Sequence, residues 1–483
     1  MSISSALNNA LSGLSATARM AEVVSSNLSN ALTDGYGRRS VELNASQVGK
    51  VGGGVRLETI SRFVDAGLLS DRRQASATLG SEDRSAAILT RLEQTLGQPD
   101  DATSLGSRLA AFESALISAS SDPASDLRLA TVVDRLGNVA MTLRENTSTT
   151  QTLRQEADAL IHQDVKKLNR ALAQVADLNR DILRVGSIGN DPSALIDARQ
   201  QVVDQIAEIV PVREMVRENG TIGLRTTNGV LLLESRPMQF GFTPTPTITA
   251  DMTLMSGALS GITLDGQPLD PVNGVGRLSG GTLGAAFALR DQTLVDMQMG
   301  LDGIAADLIA RFQDPGNDPT LTAGNPGLLT DLGGSLDFSD LVGLAGRIQV
   351  NTAIDPATGG TLRLVRDGMN NPTPGPVGDA TQLNRWVTSL AMVRADVAGT
   401  PVRSAAGRIG AFAADLGSTR LLAEENLSFA AARWDFLREA ELSQGVDTDV
   451  ELQMLLRIEQ AYAANAKVIQ SAEFMMQRLM EIS

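Results

Sequence analysis

The chain has no cysteine, which removes disulfides, thiolate metal sites and thiol nucleophiles together. Histidine occurs once, as His162, inside a strongly helical stretch, so it reads as a helix-face residue rather than a catalyst or ligand. Aromatic residues make up 3% of the 483, a low share for a compact enzyme and a common one in long helical assemblies. Lysine is scarce as well, for all but four of the 41 basic residues are arginine. None of Lys50, Lys166, Lys167 and Lys467 precedes Ser or Thr, so the triple glycine Gly52 to Gly54 is not part of a phosphate-binding P-loop. No apolar run approaches a membrane span, and the start lacks the basic and apolar regions of a cleaved secretory signal. The formal charge of −15 disfavours nucleic acid and anionic membrane surfaces. On these tests alone a cytoplasmic location is expected.

What is present is a globular level of apolar residues, 42%, in a chain long enough for two to four domains. The strongest pattern lies at its end. Alternating steps of three and four place Leu455, Ile458, Tyr462, Asn465, Ile469, Ala472, Met476 and Leu479 on one helix face, with Asn465 the polar member of the row. No Pro or Gly follows Gly445, and Asp447 and Thr448 supply helix-start chemistry, so the helix is expected to reach roughly 50 Å. The first thirty residues repeat the spacing with Ile3, Leu7, Ala10, Leu14, Thr17, Ala21, Val24, Leu28 and Ala31. The two ends are expected to pair as a coiled coil, with everything between them inserted.

Between the ends, Asp34-Gly35 marks a helix stop, and Ser40 to Leu43 and Val55 to Ile60 alternate as extended chain. Residues 61 to 210 read as helix, with Ile161, Val165, Leu168, Leu172, Val175 and Ile182 as a long stripe. At Pro211 the period becomes strand-like: Asn219-Gly220 and Asn228-Gly229 flank Thr221 to Thr227 in the pattern of a short antiparallel meander. A helix from Gly280 onward carries Phe287, Leu294, Leu301 and Leu308 on one face. Residues 314 to 380 are rich in Pro, Gly, Asn and Asp, with strand candidates at Arg347 to Asn351 and Leu362 to Val365. The expected fold is mainly α with a β-rich insertion. A terminal coiled-coil domain takes 1–60 with 442–483, and a rod-like helical bundle takes 61–210 with 281–313 and 380–441. A small discontinuous antiparallel β domain takes 211–280 with 314–379.

Nothing in the chain assembles into reaction chemistry. Asp447, Asp449 and Glu451 lack the glycine and distal ligand of a calcium loop and read as acidic residues in a first helical turn. Asp197 with Arg199, and Arg290 with Asp291, read as polar pairs on helix surfaces. No nucleophile elbow, His-paired nucleophile or zinc spacing occurs, so no enzyme activity, metal or cofactor is expected.

Two stretches carry a family resemblance. Leu11-Ser12-Gly13-Leu14 followed by Asn27, Asn30, Ala31, Thr33, Gly35, Tyr36 and Arg38 is similar to the N-terminal motif shared by the bacterial flagellar axial proteins, with Ser26 and Gly37 as departures. At the other end, Gln460-Ala461-Tyr462 and Asn465-Ala466-Lys467-Val468-Ile469 are similar to that family's C-terminal motif. Leu195 to Arg199 and the Leu283-Gly284 to Asp291 helix resemble stretches found among its hook-associated members. The resemblance implies a structural subunit at the junction of hook and filament, exported by the type III apparatus without a cleaved signal and located outside the cell. It implies as partners the hook protein, hook-associated protein 3, further copies of itself and an export chaperone. The implied assembly interface comprises Leu7, Leu14, Asn27, Leu28, Asn30 and Tyr36 near one end, and Leu455, Ile458, Tyr462, Asn465, Ile469, Met476 and Leu479 near the other. The terminal helices are then expected to order on assembly. Alternative readings are another axial protein such as the hook protein, which should be β-rich between its ends, or a cytoplasmic coiled-coil scaffold or chaperone with its ends folded in the monomer.

Overall fold

The computed structural model describes residues 3–33, 35–48, 51–97, 101–269, 276–395 and 402–482. Asp34 of the expected turn and Lys50 lie outside them. Among the described residues helix dominates. In chain order come α1 (Ile3–Ser29), β1 (Arg38–Val48), β2 (Val51–Phe63), α2 (Ala66–Leu96), α3 (Leu105–Ser121), α4 (Asp126–Ser187) and α5 (Ser193–Ile209). Short strands follow: β3 (Val212–Val216), β4 (Ile222–Thr226), β5 (Leu231–Leu233), β6 (Phe240–Gly241), β7 (Thr263–Leu264) and β8 (Gln267–Pro268). Then come α6 (Thr282–Ala288), α7 (Leu294–Phe312), β9 (Leu329–Asp331), α8 (Leu344–Arg347), β10 (Ile348–Val350), α9 (Arg363–Asp367), α10 (Thr381–Ala391), α11 (Ala405–Gln444) and α12 (Thr448–Ile482).

The chain divides into two compact units. One comprises 1–79, 167–239 and 430–483, the other 80–166 and 240–429. In the first, β1 and β2 form a two-stranded antiparallel hairpin, and α1 touches the hairpin and α12. Leu168, Leu172, Val175 and Ile182 of α4 are all buried there, as their spacing of three and four requires. Asn179 sits in the same row and is satisfied: it donates to Ile222 O at 2.8 Å and accepts from Ile222 N at 3.2 Å and from Arg199 Nη1 at 2.8 Å. The meander β3-β4-β5 pairs in register from Val212 opposite Thr226, with Gly220 and Gly229 at φ +78° and +89° in its two turns.

The second unit has a core where Phe112, Phe312 and Trp386 meet edge to face, at 5.9 and 5.5 Å between ring centroids. The Trp386 Nε1–H donates to Val365 O at 3.1 Å, so the buried indole has its partner. Leu321, Leu328, Leu344, Ile348, Ile354 and Val365 belong to this same core.

The expected β domain is therefore not one body. Residues 211–239 fall in the first unit, whereas the 314–379 stretch packs its apolar side chains against helices of the second. The reason is burial: strands of two or three residues bury too little on their own and use the neighbouring helices as their second layer. Leu362 to Val365, expected as strand, lies at the start of helix α9, since a short apolar run fits either period. Arg290 and Asp291 are likewise not a surface pair. Arg290 is fully buried in a π-helical turn between α6 and α7, bonded to Asp158 at 2.6 Å and Asp291 at 2.8 Å. It also lies over the rings of Phe242 and Phe287, at 5.6 and 4.9 Å.

Candidate functional site

The two terminal motifs meet in space. α1 and α12 pack together, and Gly13 of α1 lies against the Asn465 side chain of α12. A Cβ on Gly13 would fall 2.7 to 2.9 Å from all three terminal atoms of the Asn465 amide, so any side chain at position 13 has to displace that amide. Ile458 and Ala472, seven residues to either side of Asn465, are buried, which makes 458, 465 and 472 the inward line of α12. On α1 the buried residues are small, with Ala10, Thr17 and Val24 again seven apart. The Thr17 hydroxyl donates back to Gly13 O at 3.0 Å, which keeps it from being an unpaired polar group.

Just beyond, the N-terminal motif folds into a polar hub. Asn27 is 1% exposed. Its Oδ1 accepts from the Tyr36 hydroxyl at 2.9 Å and from Arg39 N at 3.0 Å, while its Nδ2 donates to Arg39 O at 2.8 Å. One carboxamide thus ties the last turn of α1 to the first residues of β1. Asn30 Nδ2 donates to Ser26 O at 2.9 Å and closes the helix end, and Gly35 turns the chain at φ +79°. The Arg39 guanidinium lies 5.0 Å from the Tyr36 ring.

Charge pairs then fix this hub to α5 and to the start of α12. Asp197 accepts from Arg39 at 2.7 Å, from Arg62 at 2.7 Å and from Gly37 N at 3.2 Å. Asp197 and Arg199 were expected on a helix surface, yet both are buried, because the hairpin base covers Asp197 and the meander turn takes Arg199 through Gly220 O. Burial lowers the pKa of Arg199, the Glu214 carboxylate opposing and Arg62 and Arg73 adding to it. Arg72 is raised instead: burial works against its charge, but Asp204 and Glu441 outweigh it. Arg38 Nε reaches Glu451 at 2.7 Å, and Glu451 is buried. The acidic first turn of α12 therefore does more than face a helix dipole. Asp447 Oδ1 accepts from Asp449 N and Val450 N at 2.9 and 3.1 Å and caps the helix, and Glu451 binds the hairpin.

The site residues read from sequence divide in three. Asn27, Asn30 and Tyr36 form the polar hub. Ile458 is buried, with Leu455, Asn465 and Ile469 half-buried beside it on α12 and Leu7, Leu14 and Leu28 half-buried on α1. Tyr462, Met476 and Leu479 stay 50%, 41% and 57% exposed on the same apolar row. Sequence reasoning missed Gly13 as a contact, and Arg39, Arg62, Asp197 and Glu451 as one network. The Arg38-Arg39 pair after Tyr36 was the available signal. Among the described residues no group of His, Asp or Glu side chains is placed to hold a metal ion, and no helix is long and apolar enough to cross a membrane.

The family described as "Flagellar hook-associated protein FlgK helical domain" matches residues 89–327, and "Flagella basal body rod protein" matches residues 7–36. Flagellar hook-associated protein 1 of Salmonella typhimurium is 29% identical over 249 residues, 48% of this chain and 43% of its own length. The alignment thus spans less than half of that relative. The Bacillus subtilis protein of the same name is 22% identical over 499 residues, 96% and 95% of the two chains, and that of Escherichia coli K12 is 25% identical over 565 residues, 99% and 100%. The solved flagellar hook junction protein FlgK from Burkholderia pseudomallei superposes with a TM-score of 0.45 at 20% identity, covering 55% of this chain and 46% of that one. The families and relatives it matches are flagellar structural proteins rather than enzymes. Over residues 89–327, and with lower identity along nearly the whole chain, the protein is similar to flagellar hook-associated protein 1.

Proposed function

We propose that this chain is a structural subunit of the junction between the flagellar hook and filament, built into the flagellum through its terminal helices after type III export. The observation that carries this reading is the half-used seam of α12. One line of it, Ile458 and Ala472, is covered within the chain, while Tyr462, Met476 and Leu479 on the same row remain exposed. A long apolar row with half its residues open to water suits contacts with further subunits, and a heterologous contact of that kind propagates into a ring or tube. Residues 1–60 with 442–483 would act as the assembly domain and the rest as what it carries. Its partners would be the hook protein, hook-associated protein 3, other copies of the chain and an export chaperone.

The test uses the full-length chain in a strain lacking its own copy. Tyr462→Asp with Ile469→Asp should leave the protein exported into the medium but absent from purified hook–filament complexes, because a charge buried in an apolar contact carries a desolvation penalty of several kcal/mol. Normal swimming and normal incorporation of that variant would overturn the reading. Immunogold labelling of the wild-type chain anywhere other than the boundary of hook and filament would do the same.

A further inference from the structure

The second unit carries a loop that presents apolar side chains to water at a conformational cost. Asp331 to Gly334 is a tight turn, closed by Gly334 N to Asp331 O at 2.8 Å and Asp331 N to Gly334 O at 3.0 Å. Its central residues, Leu332 and Gly333, have φ +48° and +90°. Two successive positive values mark a primed turn, whose first central position is normally Asn, Asp or Gly because a branched side chain there meets the backbone. This chain places leucine there, and the leucine is 66% exposed. It therefore gains little burial in return for the strain, which is a signature of a residue kept for contact with something else.

Leu332 is not isolated. Phe338 and Val342 are 58% and 52% exposed, and one guanidinium holds the whole loop. Arg347 donates from Nε to Asp331 Oδ1 at 2.9 Å and from Nη2 to Asp331 Oδ2 at 3.0 Å and Asp340 O at 2.8 Å. From Nη1 it donates to Val342 O at 2.7 Å. The backbone that carries the three apolar side chains is thus pinned around a single cation, a rigid presentation rather than a loose loop. Two further carboxylates lie in the loop, Asp337 and Asp340, the latter also 3.3 Å from Arg347 Nη2. Asp340 and Asp337 are exposed, and the Ser339 hydroxyl and N–H hold the Asp337 carboxyl below its ordinary pKa, so it stays charged.

We infer that Leu332, Phe338 and Val342 form a docking surface for a partner protein whose contacting face is apolar and rimmed with arginine or lysine. Charge decides the partner's chemistry. A two-fold contact between identical patches would set Asp337 and Asp340 against their own copies, whereas a cationic rim turns them into attractive, register-fixing contacts. The inference rests on the proposed flagellar role only for where the partner is sought.

The test places a benzophenone amino acid at position 338 or, as the control, at exposed Val377 of the full-length chain, with photolysis of isolated flagella and sequencing of the cross-linked peptides. Position 338 should give an adduct several-fold stronger than position 377, on a peptide with basic residues beside apolar ones, and its yield should fall as salt is raised. Leu332→Asn supplies the second arm. Asparagine tolerates positive φ, so this variant should unfold at a slightly higher temperature than wild type while its adduct at 338 falls several-fold. No adduct above the control, an adduct on an acidic peptide or on a second copy of this chain, or an adduct unchanged by Leu332→Asn overturns the inference. Absence of the chain from isolated flagella would instead count against the junction reading, and the same photolysis is then done on intact cells, where the same yields decide the docking surface.

Discussion

Helices α4 and α12 were written in the same code and met different fates. Each carries apolar residues in steps of three and four, and each has one asparagine in the row, Asn179 or Asn465. In α4 the row is covered: Leu168, Leu172 and Val175 are fully buried, and Asn179 is bonded to the β4 backbone and to Arg199. In α12 the helix α1 covers one line alone, and Asn465 lies against the bare backbone of Gly13. Periodicity therefore reports that a helix has an apolar face and says nothing of what covers it.

Breaking the covered row should cost most. Leu168→Ala is expected to lose about 2–5 kcal/mol in urea unfolding, since it removes fully buried methyl groups and leaves a cavity. Leu479→Ala in the open row should change the same measurement by less than about 0.5 kcal/mol, yet reduce incorporation into flagella. Equal destabilisation by the two variants would erase the distinction.

The polar hub offers a second, smaller break. Asn27→Ala leaves both backbone groups of Arg39 without their partner and the Tyr36 hydroxyl with Ser26 Oγ alone, at 3.2 Å, and should cost about 1–3 kcal/mol. Hydrogen exchange at the hairpin base should accelerate in step, whereas exchange in α3 should not change. Gly13→Val sharpens the other side of the comparison. The added carbons collide with Asn465, so α1 and α12 should separate locally at a cost of about 1–3 kcal/mol, and Gly13→Val with Asn465→Ala should recover part of it.

The smallest expected effect is electrostatic and lies in the second unit. Burial raises the pKa of Asp302, against the pull of the Ala345 and Gly343 N–H groups and Gln298. A carboxyl raised in the folded state binds more protons there than when unfolded. It therefore destabilises above its folded pKa, and the penalty fades as pH falls from that value to the ordinary carboxylate value. The difference in unfolding free energy between wild type and Asp302→Asn should accordingly shift in favour of wild type as pH is lowered through that window. A difference that is flat with pH would remove this account of Asp302.

Much of the fold was legible because it is local. The long helices, the extended chain after Tyr36, the meander between two Asn-Gly turns and the cap at Asp447 all follow from spacing and turn chemistry. The polar pairs were misread for a common reason. Asp197, Arg199 and Arg290 look like surface residues in any helical window, and become buried when the hairpin base, the meander turn or the loop behind Phe242 closes over them. The β insertion failed similarly, since residues 314–379 have no pattern announcing that their leucines will complete a core around Phe312 and Trp386.

Sequence alone determined where the long helices run and which of their faces are apolar, that thiol chemistry is absent and that the two ends carry matched motifs. These depend on residue type and spacing within a few turns. Tertiary structure decided that Gly13 meets Asn465, that Asp197 gathers Arg39 and Arg62, and that Tyr462, Met476 and Leu479 stay in water. Those outcomes depend on which distant backbone arrives beside each side chain, and desolvation and close packing act only on groups already brought together.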